Sequence, residues 1–346
     1  MEEALPKIRF RDTQIEMAHG AGGKASRRLV EGLFAPLLLG ASMEPLGDAA
    51  HLSLDGTRIA VTADSFVVKP LRFPGGSIGE LAVNGTVNDL AVSGAMAEAM
   101  VVTYVLEAGL HTEILEAEVR SMAKAARQAQ VVIAGGDTKV VEHGKADSMY
   151  ITTAGIGRVL PQMKLSAQSV RPGDQVLLSG PIGDHGITIL LARGELDIEA
   201  DLCSDTRSVL PLVQALARAV GPGVRWMRDP TRGGVATSLN ELARDCGLGI
   251  IIFEDRLPIR DAVRGACELL GLDPLHIANE GQFLAIVAPD YAEAALDALH
   301  QTPGGHAAVI IGEVRPEPEE TVLSSTAYGG VRVVDMLVGD PLPRIC

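Results

Sequence analysis

Residues 77–95 read SIGELAVNGTVNDLAVSGA. Their apolar residues recur at helical spacing, and Ser77 is a plausible N-cap for a helix beginning at residue 78. Asp89 fits this helix least well, because it sits mid-helix in an otherwise apolar segment. The flanking segments predict a mixed chain. RIAVTADSF (58–66) and AEAMVVTYVLE (97–107) read as strands. TEILEAEVRSMAKAARQAQ (112–130) reads as a helix with acids early and bases late, as the helix dipole favours. VVIAGGDTK (131–139) reads as a short strand running into a Gly-Gly turn, and SMYITTAGIGRV (148–159) as another strand. Upstream, HGAGGKASRRLVEGLF (19–34) is a Gly-rich turn feeding an amphipathic helix through Leu29, Val30 and Leu33.

The polar, proline-bearing stretch LPQMKLSAQSVRPGDQ (160–175) predicts a domain boundary. Beyond it, strands are expected at 175–179, 249–253, 282–287 and 308–314. Helices are expected at 183–193, 207–219, 234–246, 260–270 and 290–299. PEPEE (316–320) breaks the pattern before two short strand-like pieces, 321–324 and 330–335. The chain closes on GDPLPRIC (339–346), whose prolines predict an extended, loose arm.

Composition narrows the function. The 346 residues suggest two domains, and 47% apolar residues against 21% charged supply a core. A formal net charge of −14 argues against a nucleic-acid surface or an anionic membrane. No apolar run approaches the ~18 residues that span a bilayer. MEEALPKIRF (1–10) lacks the apolar core of a signal peptide, so a cytoplasmic location is expected. Cys203, Cys246, Cys267 and Cys346 show no zinc-ligand spacing. Cys246 and Cys267 lie in helical patterns and read as small buried residues. Cys203 carries no signal, whereas packing does not account for Cys346.

Four aspartates follow strands or turns: Asp48 in LGDAAH, Asp64 in VTADSF, Asp89 in VNDLA and Asp229 in RDPTRGG. Each either caps a turn or helix, or joins a cluster that a hard divalent cation neutralises. HGAGGK (19–24) and AGGDTK (134–139) are either tight turns or phosphate cradles, with Lys24 adding charge to the first. Neither is a Walker A loop, since Ala25 follows Lys24. Lys139 and Glu280, in IANEGQF, form either a surface ion pair or a proton-transfer pair.

Together, the Gly loop, TADSF, NGTVNDLAVSGA, AGGDTK, RDPTRGGVA and NEGQF resemble the ATP-binding superfamily related to aminoimidazole ribonucleotide synthetase. DPTRGG with a closing PRIC resembles one branch of it, the HypE-type carbamoyl dehydratases of hydrogenase maturation. The resemblance implies a two-domain α+β fold in which the N-terminal domains of a homodimer pair strands into a β-barrel. It implies four parts: residues 1–40 with the phosphate loop, an ATP-binding and dimerisation domain at 41–160, an α+β domain at 161–315, and a tail at 316–346. It implies ATP held by Gly20, Gly22, Gly23, Lys24, Asn88, Gly135, Gly136, Asp137 and Thr138. It also implies Mg2+ held by Asp64 and Asp89, with Asp48 and Asp229 as further ligands. Gly47 stands where many relatives have a second acid, which leaves the ion count open. A carbamoyltransferase partner, HypF, is expected to load Cys346. ATP then dehydrates the cargo to a thiocyanate, with Lys139 and Glu280 removing protons. The cyano group passes to iron on a HypC–HypD scaffold. Two rival readings are a kinase or synthetase for a free small molecule, of selenophosphate synthetase or thiamin monophosphate kinase type, and a metal-holding scaffold without catalysis.

Overall fold

Along Met149–Val159 every second residue is buried, the alternation of a strand with one face on a core. The computed structural model describes residues 10–39, 46–194, 200–326, 328–339, 342 and 344–346. Near the N-terminus, α1 (Gly23–Leu29) runs through a wider turn into α2 (Ala35–Leu38). The N-terminal sheet holds β1 (Ala50–Leu54), β2 (Thr57–Phe66), β5 (Ala95–Glu107), β6 (Val132–Val141) and β7 (Met149–Val159), in the order β1-β2-β7-β5-β6. A small ribbon, β3 (Arg72–Phe73) with β4 (Gly76–Ser77), lies apart from it. Within the five-stranded sheet only β5 and β6 pair in parallel, joined by the crossover helix α4 (Thr112–Gln128).

Helix α3 (Ile78–Val92) is buried nearly all round, as a helix between two layers must be. It packs on the sheet, on α4 and on α6 (Leu210–Val220) of the second domain. Ser77 has the extended backbone of an N-cap, but its hydroxyl does not cap the helix. Instead Glu118 of α4 accepts the Gly79 N–H at 3.1 Å and pairs with Arg72 at 2.7 Å. The helices can approach this closely because residue 79 has no side chain. A Cβ there would lie 2.2 Å from the Glu118 carbonyl oxygen.

The C-terminal sheet runs β14-β13-β10-β12-β8-β11-β9. Its strands are β8 (Gln175–Leu178), β9 (Val224–Arg228), β10 (Gly249–Phe253), β11 (Leu284–Val287), β12 (Val309–Arg315), β13 (Val322–Ser325) and β14 (Val331–Val333). Helices α5 (Asp184–Ala192), α7 (Gly234–Cys246), α8 (Asp261–Leu270) and α9 (Pro289–His300) join α6 in covering it. Both faces of its centre are buried. Leu177, Ala285 and Val287 enter a core continuous with the N-terminal domain, while Val176, Leu178, Leu284 and Ile286 enter a second one. The inter-domain join is therefore apolar and firm.

Several expectations need correction. Strands β1 and β9 were not anticipated. Gly135 and Gly136 do not form a turn: β6 runs straight through them, beside Val102 and Val101 of β5. A Cβ on Gly136 would lie 1.9 Å from the Val102 carbonyl oxygen, so this glycine serves close strand approach. Nor is the tail loose where it is described: Leu342 and Ile345 are buried against the body. The N-terminal sheet is open within one chain, with β1 and β6 at its edges.

Candidate active site

Five acids meet at the join of the domains. Asp48 precedes β1, Asp64 lies on β2, Asp89 on α3, Asp229 directly after β9, and Glu280 just before β11. Burial pushes the Asp89 carboxyl well above the usual range, and the negative charges of Asp229, Asp48 and Asp64 push it further. Burial likewise pushes Asp229 well up, with Asp48 and Asp64 adding to the effect. Asp48 and Asp64 are also raised by burial, but Arg228 and Arg232 respectively oppose the shift. Arg228 Nε lies 3.1 Å from Asp48. Thr62 holds the group together: its Oγ1 is 2.7 Å from Asp89 Oδ2 and 2.8 Å from the Asp48 carbonyl oxygen.

This donor set is all oxygen and carries excess negative charge, the chemistry that suits a hard divalent cation. Among the described residues, no three acid, His or Cys side chains converge into a ready-made cage.

Glu280 is the most exceptional member. It is 3% exposed, its Oε1 has no hydrogen-bond partner, and burial with the charges of Asp229, Asp64 and Asp205 raises its pKa strongly. A buried carboxyl without a partner is costly, so such positions mark function more often than packing. Its turn is tied down from two sides. Asp205 accepts the backbone N–H groups of Glu280 and Gly281, and Asn88 donates to the Glu280 carbonyl oxygen at 3.3 Å. Asn88 also donates to the Arg207 carbonyl and accepts the Val209 N–H. Both ends of its amide are thus committed inside the protein. Asn88 is a tether between α3 and the Glu280 turn rather than a group facing a nucleotide.

Among the described residues, no hydrogen bond or ion pair joins Lys139 to Glu280. It lies exposed on edge strand β6 and pairs with Asp137 at 2.7 Å. Gly135, Gly136, Asp137 and Thr138 line an open cleft of about 520 Å³ against Val119, Met122 and Ala123 of α4.

The first Gly loop packs against the second motif: Arg232 of DPTRGG donates to the Gly20 carbonyl oxygen at 2.9 Å. A Cβ on Gly22 would crowd Arg232 at 3.0 Å. In this conformation the loop is not an open phosphate cradle. The amides of Lys24 and Ala25 donate to the carbonyl oxygens of Leu337 and Val338, and the Gly22 N–H goes to Ser26. Lys24 Nζ sits 2.5 Å from Asp335. Gly23 holds φ +73, and a Cβ there would meet the Leu337 carbonyl at 2.4 Å. The C-terminal segment therefore covers the loop that was expected to take phosphate.

The described tip of the tail docks further on. The Cys346 carbonyl accepts the Val67 N–H at 2.9 Å, and the Arg344 carbonyl accepts from the Lys69 N–H and from Arg193. Arg344 pairs with Asp147 at 2.5 Å. Val67 directly follows β2, the strand that carries Asp64. Cys267 is buried and its thiol is pushed up to about 11, which fits packing, while Cys203 is exposed.

Asp205, Thr62, Arg228 and Arg232 were missed by sequence reading. Thr62 lies inside VTADSF, and Arg228 and Arg232 lie inside RDPTRGG, motifs already noted; Asp205 carries no local signal.

The two sheet-based domains place the chain among the AIR synthase related proteins. The N-terminal domain of that family matches residues 46–159 and the C-terminal domain residues 171–324. The carbamoyl dehydratase HypE of Azotobacter vinelandii is 47% identical over 342 residues, covering 99% of this chain and 100% of its own. A crystal structure of HypE in complex with ATP superposes with a TM-score of 0.80 at 45% identity, covering 95% of this chain and 99% of that one. The HypE chain of a HypE–HypF complex superposes with a TM-score of 0.84 at 43% identity, covering 89% and 99%. The chain belongs to the HypE family of carbamoyl dehydratases.

Proposed function

We propose that this protein uses ATP to dehydrate a carbamoyl group carried on Cys346 and so supplies cyanide ligands for the iron of nickel–iron hydrogenase. The observation that carries this reading is the docking of Cys346 on Val67, directly after β2, the strand that carries Asp64. The overall change is R–S–CO–NH2 plus ATP giving R–S–C≡N, ADP and phosphate. Bound ATP and Mg2+ supply the chemistry that turns the amide oxygen into phosphate, a good leaving group. Asp64 and Asp89 hold the cation, with Asp48 and Asp229 beside them.

Two protons must leave the amide nitrogen, one as its oxygen is phosphorylated and one as phosphate departs. Glu280 takes one of them. Its raised pKa derives in part from Asp229 and Asp64. A cation held by those carboxylates would lower it and so favour Glu280 as a base. Lys139 serves the second transfer from a neighbouring subunit. The exposed apolar residues Leu52, Leu54, Val101, Val132, Val140 and Ile156 on the open N-terminal sheet support a homodimer that pairs these sheets into a barrel. The phosphates reach Gly20, Gly22, Gly23 and Lys24 once the 335–338 segment releases the loop, while Gly135, Gly136, Asp137 and Thr138 line the rest of the nucleotide site. Functionally, the chain divides at residues 40, 160 and 315.

A HypF-type carbamoyltransferase loads Cys346, and a HypC–HypD-type complex takes the cyano group. For both, the tail must leave its seat. We place these steps in the cytoplasm; among the described residues no helix is long and apolar enough to cross a membrane. Nothing favours a free small-molecule acceptor, which would need no docked cysteine.

The test is the mass of the C-terminal peptide after incubation with the carbamoyltransferase, carbamoyl phosphate and ATP. A gain of about 43 Da followed by an ATP-dependent loss of about 18 Da is expected. Turnover that persists after deletion of Cys346 would sink the proposal.

A further inference from the structure

His185 lies at the start of α5 with none of its surface exposed. Its Nε2 is 2.6 Å from the Ile345 carbonyl oxygen, and its Nδ1 is 2.8 Å from Ser204 Oγ. A carbonyl only accepts, so Nε2 carries the hydrogen and Nδ1 accepts the serine hydroxyl. Ser204 Oγ in turn accepts the Thr206 N–H at 3.1 Å, and the Ser204 N–H donates to the Pro74 carbonyl. Phe73 meets the ring edge-on at 5.6 Å. The ring is thus held in one plane and one tautomer. Burial lowers its pKa to about 4, which keeps it neutral at neutral pH.

The next residue, Asp205, accepts the N–H groups of Glu280 and Gly281. One short segment therefore orients two things at once, the histidine that touches the tail and the turn that carries Glu280.

We propose that His185 and Ser204 are positioning residues that grip the tail through its main chain and set where the Cys346 side chain begins relative to Glu280. This rests on reading Cys346 as the carrier. The grip is a backbone one: the Ile345 carbonyl goes to His185, the Arg344 carbonyl to Lys69 and Arg193, and the Cys346 carbonyl to Val67. Leu342 and Ile345 supply apolar anchors, and Gly186 leaves room for the former: a Cβ there would lie 3.3 Å from Leu342 Cδ1. A seat built on main-chain contacts accepts the tail whether the sulfur is bare or loaded.

The Val67 and Lys69 amides report on this seat, since both donate to the tail. The experiment is hydrogen exchange at these two amides in the full-length protein without ATP or carbamoyl donor. The N-ethylmaleimide labelling rate of Cys346 is read in parallel from the C-terminal peptide. Deleting 344–346 sets the unseated exchange rate. His185→Leu should raise exchange and labelling by about tenfold or more while β7 amides stay protected. His185→Gln, which keeps a donor near the Nε2 position, should remain within about threefold of wild type. Should His185→Leu lose β7 protection, Ser204→Ala carries the test, with an increase expected at the same amides. The proposal is overturned if the 344–346 deletion leaves Val67 and Lys69 at wild-type rates, or if His185→Leu and Ser204→Ala both do so while the deletion does not. These readouts involve no dehydration, so their outcome is separate from that of the mass experiment on Cys346.

Discussion

The carboxylate of Asp205 caps the turn of Glu280: Oδ1 accepts the Glu280 N–H at 3.0 Å and Oδ2 accepts the Gly281 N–H at 3.2 Å. A carboxylate can accept at both oxygens, whereas an amide can accept at only one. Asp205→Asn therefore sets a donor against a donor. We expect a loss of about 1–3 kcal/mol in urea unfolding. The ATP-dependent mass loss at Cys346 should slow by roughly tenfold or more as Glu280 shifts, with a smaller change in ATP affinity.

The acids at the join make the unliganded protein sensitive to alkali. Asp89, Asp229 and Glu280 all have raised pKa values in the fold. A raised acid contributes stability that is fully present below its unfolded pKa and is lost as pH rises through its folded value. Without ATP and Mg2+, the protein should lose stability as pH rises above the ordinary carboxylate range. Asp89→Asn should raise the melting temperature of the apo protein at pH 7 and abolish the further rise that ATP with Mg2+ gives the wild type. Thermal unfolding across pH, with and without MgATP, reads both effects. An unchanged apo melting temperature in Asp89→Asn would count against the cluster.

In the proposed homodimer, Lys139 reaches the Glu280 site from a second copy. Lys139→Ala should fold normally, since its side chain is 68% exposed. It should stall at the carbamoylated cysteine, as should Glu280→Gln. Mixing the two variants in equal amounts gives half heterodimers with one intact site each. Activity should return to about a quarter of wild type. No recovery after subunit exchange, shown by mixed-mass dimers, would argue that Lys139 acts within its own chain or not at all.

Lys24 and Asp335 hold the C-terminal segment over the Gly loop. Asp335→Asn loosens that cover and frees Lys24 for phosphate. ATP should bind a few-fold more tightly, because an exposed pair of this kind is worth at most about 1 kcal/mol. Equilibrium titration with a fluorescent ATP analogue checks it. Weaker binding would mean that the cover belongs to the nucleotide site rather than competing with it.

Much of the fold was legible in the chain. Alternation along 149–159 appears locally because one face of that strand is apolar, whereas 78–92 shows as a long apolar run that is buried nearly all round. The reading of Gly135–Gly136 as a turn failed because a pair of glycines can mean either a bend or a close approach, and only the neighbouring Val102 distinguishes them. The expected Ser77 cap failed similarly, since Glu118 lies thirty-nine residues away and reaches the helix end only through packing. Prolines in the tail marked it as extended, but not whether anything would hold it.

The order of residues alone determined two α+β domains, the candidate acids and a cysteine on a proline-bearing tail, because these depend on local propensity and on residue chemistry. Tertiary structure decided the rest. It drew Asp48, Asp64, Asp89, Asp229 and Glu280 into one cluster, assigned Asn88 and Asp205 to hold the Glu280 turn, and seated the tail on His185. Such relations span more than a hundred residues of chain in several cases. They arise from the packing of one domain on the other, which no local pattern encodes.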